Sequence, residues 1–526
     1  MKTAVLLLLA ALSSAAVAAI DWQPCPVYTS IATGSSDLVS PCPGVVEQPT
    51  DLKAVCASVS LPLDPENGTP GNVSVFVKRV LAQDGPSKGN IFMLNGGPGD
   101  SGVLMECMVR NMTSTVGGAY DIIIPDHRGT GRSTPLTCGG GQANGTQACQ
   151  FAALAKYTKS YLAAFSTTNA AHDVYELMTL TATPGLETLL YGVSYGTFWS
   201  QRLLHLYPDA PIDRIVLDGV VAPDVTRFVA YDNDVSIVGQ ALLDTCSQQS
   251  ALCKTRLGAY PVYRLHLVHN LLKAGGANLP CFAALDGRFT VKALSYGLGS
   301  LLVDPTDRLG VAPVVARLLR CNSGDVAALN HLLSTMPPVG EADAVTAPSI
   351  NASLIDNSLL GINIGVSELY DYKSDPLAPS TVYDMEESLL MTAGVGPQFT
   401  NAVVNGWPAY ATPDYAYANT SIPILATNGD LDPQTEFDFA VWVTQHYPSS
   451  TLVRVPGAVH ATAFPGRATP EGGTVPCGML MAGSFLSTGT TNTSCLSALP
   501  PIDWDGSTAV GQATAMKLFG TPSLWD

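Results

Sequence analysis

The stretch that most constrains the chain is residues 187–221, ETLLYGVSYGTFWSQRLLHLYPDAPIDRIVLDGVV. At its centre Gly192-Val193-Ser194-Tyr195-Gly196 fits G-x-S-x-G. The run TLLYGV before it reads as a buried strand. TFWSQRLLHLYP after it has helical spacing and stops at a proline, and RIVLDG reads as the next strand. Strand, serine, helix and strand in that order predict an α/β fold with a mostly parallel sheet. A sharp turn between strand and helix lifts the serine hydroxyl above the sheet edge. Flanking glycines permit the strained dihedrals and the close helix approach that such a turn needs.

A serine hydroxyl is a weak nucleophile without a base. On a turn of this kind the acid and the histidine follow later in the chain. Of the eight histidines, His460 in STLVRVPGAVHATAF stands just past a β-rich run and a Pro-Gly turn, where a base belongs. His446 ends a helix before Pro448 and reads as a helix C-terminal cation. His266 and His269 have no third metal ligand nearby and read as a surface helix. For the acid, SIPILATNGDLDPQTEF offers a strand and a turn with two carboxylates. Asp432 is preferred; Asp430 and Asp218 compete with it.

The segment NIFMLNGGPGDSG at 90–102 poses a separate question. Gly97 to Gly102 fits G-x-G-x-x-G after an apparent strand, and DIIIPD later supplies Asp126, so the dinucleotide fingerprint is nearly complete. A serine acyl-transfer site offers another use for the same loop. Such a site needs two backbone N–H groups for the oxyanion, one from the residue after the nucleophile and one from a glycine-rich loop after an earlier strand. That makes Tyr195 and Gly97 the expected donors.

The first residues, MKTAVLLLLAALSSAAVAA, have the grammar of a secretory signal peptide, with cleavage after Ala18 or Ala19. Twelve cysteines, none in C-x-x-C spacing, then predict disulfides. Cys138–Cys149, Cys246–Cys253 and Cys477–Cys495 are the expected local pairs, with Cys281–Cys321 a fourth. Sequons at Asn67, Asn72, Asn111, Asn144, Asn351, Asn419 and Asn492 suggest a glycosylated secreted protein. A formal charge of −17 with no basic stripe argues against a nucleic-acid partner. No later apolar run is long enough to span a membrane.

Taken together, NGGPGDSG, PDHRGTGRST, FSTTNAAHDVYELM, YGVSYGT, VLDGVVAPD and NGDLDPQTEF resemble, in order, the motifs of secreted tripeptidyl aminopeptidases. These belong to the prolyl aminopeptidase branch of the α/β-hydrolases. The resemblance covers about residues 50–230 and 415–480. It implies Ser194 as nucleophile, Asp432 as acid and His460 as base, and it assigns Asp126, Arg128 and Gly129 to a structural turn. It implies peptide substrates with a free N-terminus and no metal or cofactor; a carboxylesterase or lipase with the same triad is the alternative. Two departures stand out. Asn95 occupies the usual His position, and GINIGVSELYD puts Val366 and Glu368 where the family segment A-I-x-C-x-D has Cys and Asp. Glu368 is thereby the candidate for the substrate's α-amine. The implied organisation is a signal peptide over 1–19, core halves over 20–225 and 415–526, the latter ending in a disulfide segment, and a mainly helical cap over 226–414.

Overall fold

The computed structural model describes residues 20–32, 38–39, 42, 47–335, 354–370 and 377–526. The expected leader, 1–19, and the sequon at Asn351 lie outside the described residues. The strands are β1 (Gln23–Cys25), β2 (Ile31–Ala32), β3 (Leu38–Val39), β4 (Ala54–Pro62), β5 (Asn72–Val80), β6 (Gly89–Leu94), β7 (Asp121–Pro125), β8 (Glu187–Val193), β9 (Arg214–Asp218), β10 (Ile424–Gly429) and β11 (Ser450–Val455). β2 and β3 pair with each other. The other nine form one sheet in the order β1-β4-β5-β7-β6-β8-β9-β10-β11. β1, β4, β5 and β7 pair antiparallel. From β7 to β11 every pairing is parallel.

The central strands are buried on both faces, so they read as unbroken apolar runs. Alternate side chains divide between two cores. Phe92, Leu94, Ile123 and Leu190 pack with the helices Thr167–Thr181 and Tyr195–Leu206. Ile91, Met93, Ile122 and Leu189 pack with Val109–Thr115 and Cys477–Thr488. Ser194, Asp432 and His460 follow β8, β10 and β11, at the carboxyl ends of parallel strands, where α/β sheets present their sites.

Between β9 and β10 the described elements are all helical, beginning with Tyr231–Gln249 and ending with Val395–Val404. This segment has its own core, built on residues such as Leu243, Leu265, Leu298 and Val315. The end of the chain joins that core: Trp504, Leu518, Phe519 and Trp525 pack there, and Arg317 donates to the carbonyls of Ser523, Leu524 and Asp526. The last residues, read from sequence as part of the second core half, thus lie against the helical insertion. Apolar spacing alone does not say which of two cores an amphipathic helix joins.

The four expected disulfides are present. Two more tie down the N-terminal segment: Cys25–Cys56 joins β1 to β4, and Cys42–Cys107 reaches the turn Leu104–Met108. Among the described residues no cysteine is free, and no helix is long and apolar enough to cross a membrane.

Candidate active site

β8 runs straight into Ser194, which has φ 56° and ψ −130° and caps the helix Tyr195–Leu206. Positive φ at a non-glycine residue costs about 1–3 kcal/mol and persists only where the surroundings enforce it. Here they do. A Cβ on Gly192 would stand 2.5 Å from the Gly196 carbonyl oxygen, and one on Gly196 would stand 2.2 Å from that of Leu94. Both glycines of the motif are therefore required by close backbone approach. The strained turn points to function.

Asp432 follows β10 in the segment Asp-Pro-Gln-Thr. Its Oδ1 accepts the amides of Gln434 (2.8 Å) and Thr435 (2.9 Å), and its Oδ2 accepts the Thr435 hydroxyl (2.7 Å). The same Oδ2 lies 2.8 Å from His460 Nδ1. A carboxylate only accepts, so Nδ1 carries a ring proton, and Nε2 is the nitrogen that holds the lone pair in the neutral ring. Nε2 is buried and has no hydrogen-bond partner among the described residues. Ser194 and His460 meet the same corner of the chain. The Ser194 amide donates to the Asp218 carbonyl (2.9 Å), and a Cβ on the next residue, Gly219, would lie 2.9 Å from His460 Cε1.

The two rival carboxylates sit on either side of His460, on its backbone. Asp430 Oδ1 accepts the Gly457 amide (2.6 Å). Asp218 accepts the amides of Thr462 (2.8 Å) and Ala463 (2.9 Å), together with the Tyr191 hydroxyl (2.8 Å). Ala461, between them, has φ 63°. Three acids thus converge on one loop, and only Asp432 reaches the imidazole. Thr435 and the supporting roles of Asp218 and Asp430 were not foreseen. The Asp-Pro-x-Thr spacing, a signature of a side chain closing its own turn, could have revealed Thr435.

The glycine loop after β6 faces the nucleophile. A Cβ on Gly96 would stand 2.7 Å from Ser194 Cβ and 3.2 Å from its Oγ, whereas one on Gly97 would meet the amides of Gly99 and Asp100. Gly96 is the nearer residue, missed because the motif does not say which glycine turns inward. Among the described residues the Gly97 amide donates to no carbonyl. The Tyr195 amide opens its helix and has no partner within it. Leu104–Met108, directly after the loop, is a 3₁₀ turn and not the helix of a dinucleotide site. Asp126 accepts the amides of Gly102 (3.0 Å) and Arg132 (2.7 Å) and two bonds from the Arg132 guanidinium. Arg128 pairs with Asp173 through two bonds of 2.7 and 2.6 Å. These contacts support the turn reading of that segment.

Beneath the nucleophile's helix lies a buried polar cluster. The Tyr195 hydroxyl meets Thr167 Oγ1 (2.7 Å) and His127 Nε2 (3.1 Å). Burial pushes the His127 imidazole down to about 3, so it is neutral. Glu368 reaches this cluster. Its Oε1 accepts the Thr167 amide (2.8 Å) and the Tyr410 hydroxyl (2.6 Å). Its Oε2 lies 4.0 Å from Arg202 and has no hydrogen-bond partner among the described residues. The side chain is 1% exposed. His269 is buried beside Ser295, not on the surface its spacing suggested.

Other carboxylates near these loops are held above their ordinary range. Burial and the neighbouring Asp356 raise Asp100, in the glycine loop, to about 7. Burial, Glu436 and Asp232 raise Asp234 to about 7. A carboxyl that binds its proton more tightly when folded supports the fold fully below its unfolded value near 4. It loses that support as pH rises through its folded value. Asp234→Asn should therefore raise the thermal midpoint at about pH 8 and leave it unchanged at about pH 4. Equal shifts at both pH values would contradict the assignment.

The profile of the alpha/beta hydrolase fold matches residues 89–258. A tripeptidyl aminopeptidase of Streptomyces lividans is 27% identical over 260 residues, 44% of this chain and 44% of the relative. The Streptomyces coelicolor tripeptidyl aminopeptidase matches to the same extent. The chain thus spans under half the length of these relatives. Among solved structures, an esterase from Thermogutta terrifontis is 12% identical, covers 77% of this chain and 91% of its own, and has a TM-score of 0.31. A bromoperoxidase from Bacillus anthracis is 14% identical, covers 77% and 93%, and has a TM-score of 0.29. With its sheet order, its strand–serine–helix turn and the matched profile, the chain has the α/β-hydrolase fold and resembles the tripeptidyl aminopeptidases.

Proposed function

We propose that the chain is a secreted serine exopeptidase that releases short peptides, tripeptides foremost, from free N-termini. The observation that carries the reading is a buried His460–Asp432 pair whose outer ring nitrogen has no partner among the described residues, at the same Asp218–Gly219 corner that holds a serine at positive φ. In this reading His460 Nε2 takes the Ser194 proton, and Ser194 Oγ attacks the scissile carbonyl. The amides of Tyr195 and the Gly96–Gly97 loop hold the oxyanion. The imidazolium, stabilised by Asp432, protonates the leaving amine. Water then repeats the cycle on the acyl-enzyme. The reaction so written calls on no metal or organic cofactor. The helical insertion, at 226–414, is assigned as the cap that closes one end of the cleft between the core halves and so confines cleavage to chain ends. Six disulfides and the leader-like N-terminus support secretion.

Free-amine recognition is assigned to a carboxylate of the insertion, with Glu368 as the first candidate. Its support is Oε2, which makes no hydrogen bond among the described residues and lies 4.0 Å from Arg202 of the nucleophile's helix. An ammonium leaving water needs an anion to replace its hydration. N-acetylated peptides should accordingly be cleaved far more slowly than free ones. Glu368→Gln should narrow that gap, mainly through KM, since the anchor is made in ground and transition states alike. A wide gap that survives Glu368→Gln would place the anchor on another carboxylate. Comparable rates on free and acetylated peptides would reject the aminopeptidase reading, and brisk ester turnover without peptide cleavage would favour a carboxylesterase.

A further inference from the structure

We propose that Arg308 is a positioning residue for His460, fixing from the helical insertion the turn on which the imidazole hangs. The inference rests on the reading of His460 as the base.

Both backbone polar groups of Gly457, three residues before His460, are held by side chains. Its amide donates to Asp430 Oδ1 (2.6 Å), and its carbonyl accepts from Arg308 Nη2 (2.6 Å). The next carbonyl, of Ala458, accepts the Leu431 amide (3.1 Å), one residue before Asp432. The peptide path from Arg308 to the imidazole therefore has little slack. On the far side, Asp218 holds the amides of Thr462 and Ala463. Of these anchors, Asp218 and Asp430 belong to β9 and the β10 turn, and Arg308 alone comes from the insertion.

Arg308 is itself closely set. It is 6% exposed, and its Nε donates to the Pro305 carbonyl (3.2 Å). Burial lowers its guanidinium to about 10, with Asp430 opposing the shift, so it stays charged at neutral pH. A second tie joins the same two segments, from Arg467 Nη1 to the Val303 carbonyl (2.9 Å). The loop of the base is thus gripped on both sides of His460 by residues 303–308. Loss of the Arg308 bond frees the Gly457 carbonyl while leaving Asp432 and its partners in place. The imidazole keeps its acid and loses its aim. Displacement of a catalytic group by about 1 Å can cost about 100-fold in rate.

The test is turnover of p-nitrophenyl acetate, expressed per site titrated to completion with a fluorophosphonate, for Arg308→Met and Arg308→Lys. Arg308→Met should lower kcat per titrated site by about 10- to 100-fold with KM nearly unchanged. Arg308→Lys, whose ammonium can still reach the Gly457 carbonyl, should recover most of it. A role in folding alone would reduce the number of titratable sites and leave kcat per site at the parent value, and that result would overturn the proposal. If Arg308→Met does not fold, Arg308→Gln, whose side chain is too short to reach the Gly457 carbonyl, decides: a loss in kcat per site of about 10-fold or more supports the proposal, and an unchanged value overturns it. Failure of the underlying reading would appear separately, as ester turnover that survives His460→Ala.

Discussion

Ser194→Ala is expected to fold, form the same disulfides and lose kcat by on the order of a million-fold, the loss typical when a hydrolase nucleophile is removed. The hydroxyl stands on a turn whose geometry is imposed by its neighbours. Gly192 and Gly196 allow the close approach, and the Ser194 amide is tied to Asp218. None of these contacts involves the Oγ atom, so folding should not depend on it. Alanine at φ 56° carries the same backbone strain as serine. The thermal midpoint should hold or rise slightly while turnover disappears. A purified variant that keeps a tenth of the parent rate would refute the assignment of the nucleophile.

The second large effect concerns the acid. Asp432→Asn should lower kcat by about 10⁴-fold, or about 5.4 kcal/mol of transition-state stabilisation. Asp432 Oδ1 already receives two backbone amides, and Oδ2 faces the imidazole and the Thr435 hydroxyl. An asparagine can keep its oxygen toward the amides only by turning its NH₂ toward His460. That forces Nδ1 to accept and moves the proton to Nε2, where the base must have none. Asp430→Asn and Asp218→Asn leave this pair intact. Their carboxylates hold the backbone of the base's loop, so their losses in kcat should be smaller. Asp218→Asn should also cost stability, because Asp218 is fully buried and serves the amides of two residues and the Tyr191 hydroxyl. A kcat loss for Asp430→Asn equal to that for Asp432→Asn would move the acid.

Much of this site was legible in the sequence because each element carried its own signal. The serine was marked by strand, turn and helix in order, and His460 by the β-rich run and Pro-Gly turn before it. The mostly parallel sheet followed from the order strand, serine, helix and strand. What was not legible depends on contacts between distant segments. Asp218, Asp430 and Asp432 look alike in sequence, each an acid at or near a strand end; only the packing of three loops sends one to the ring and two to the backbone. Gly96 and Gly97 look alike in sequence, and only the folded loop shows that Gly96 stands against Ser194. Glu368 was singled out by resemblance, and its Oε1 proves to bind the N-terminus of the helix Thr167–Thr181. The C-terminal residues followed the insertion's core because tertiary apolar surface, not chain order, decides where a helix packs.

The most direct test of the central claim is mass spectrometry of the fragments that the purified protein releases from a peptide library with free N-termini, alongside the same library N-acetylated. Short N-terminal fragments, tripeptides foremost, are expected from the free library, little from the acetylated one, and none from either with Ser194→Ala. Internal cleavage independent of acetylation, or no peptide cleavage by a protein that turns over esters, would contradict it.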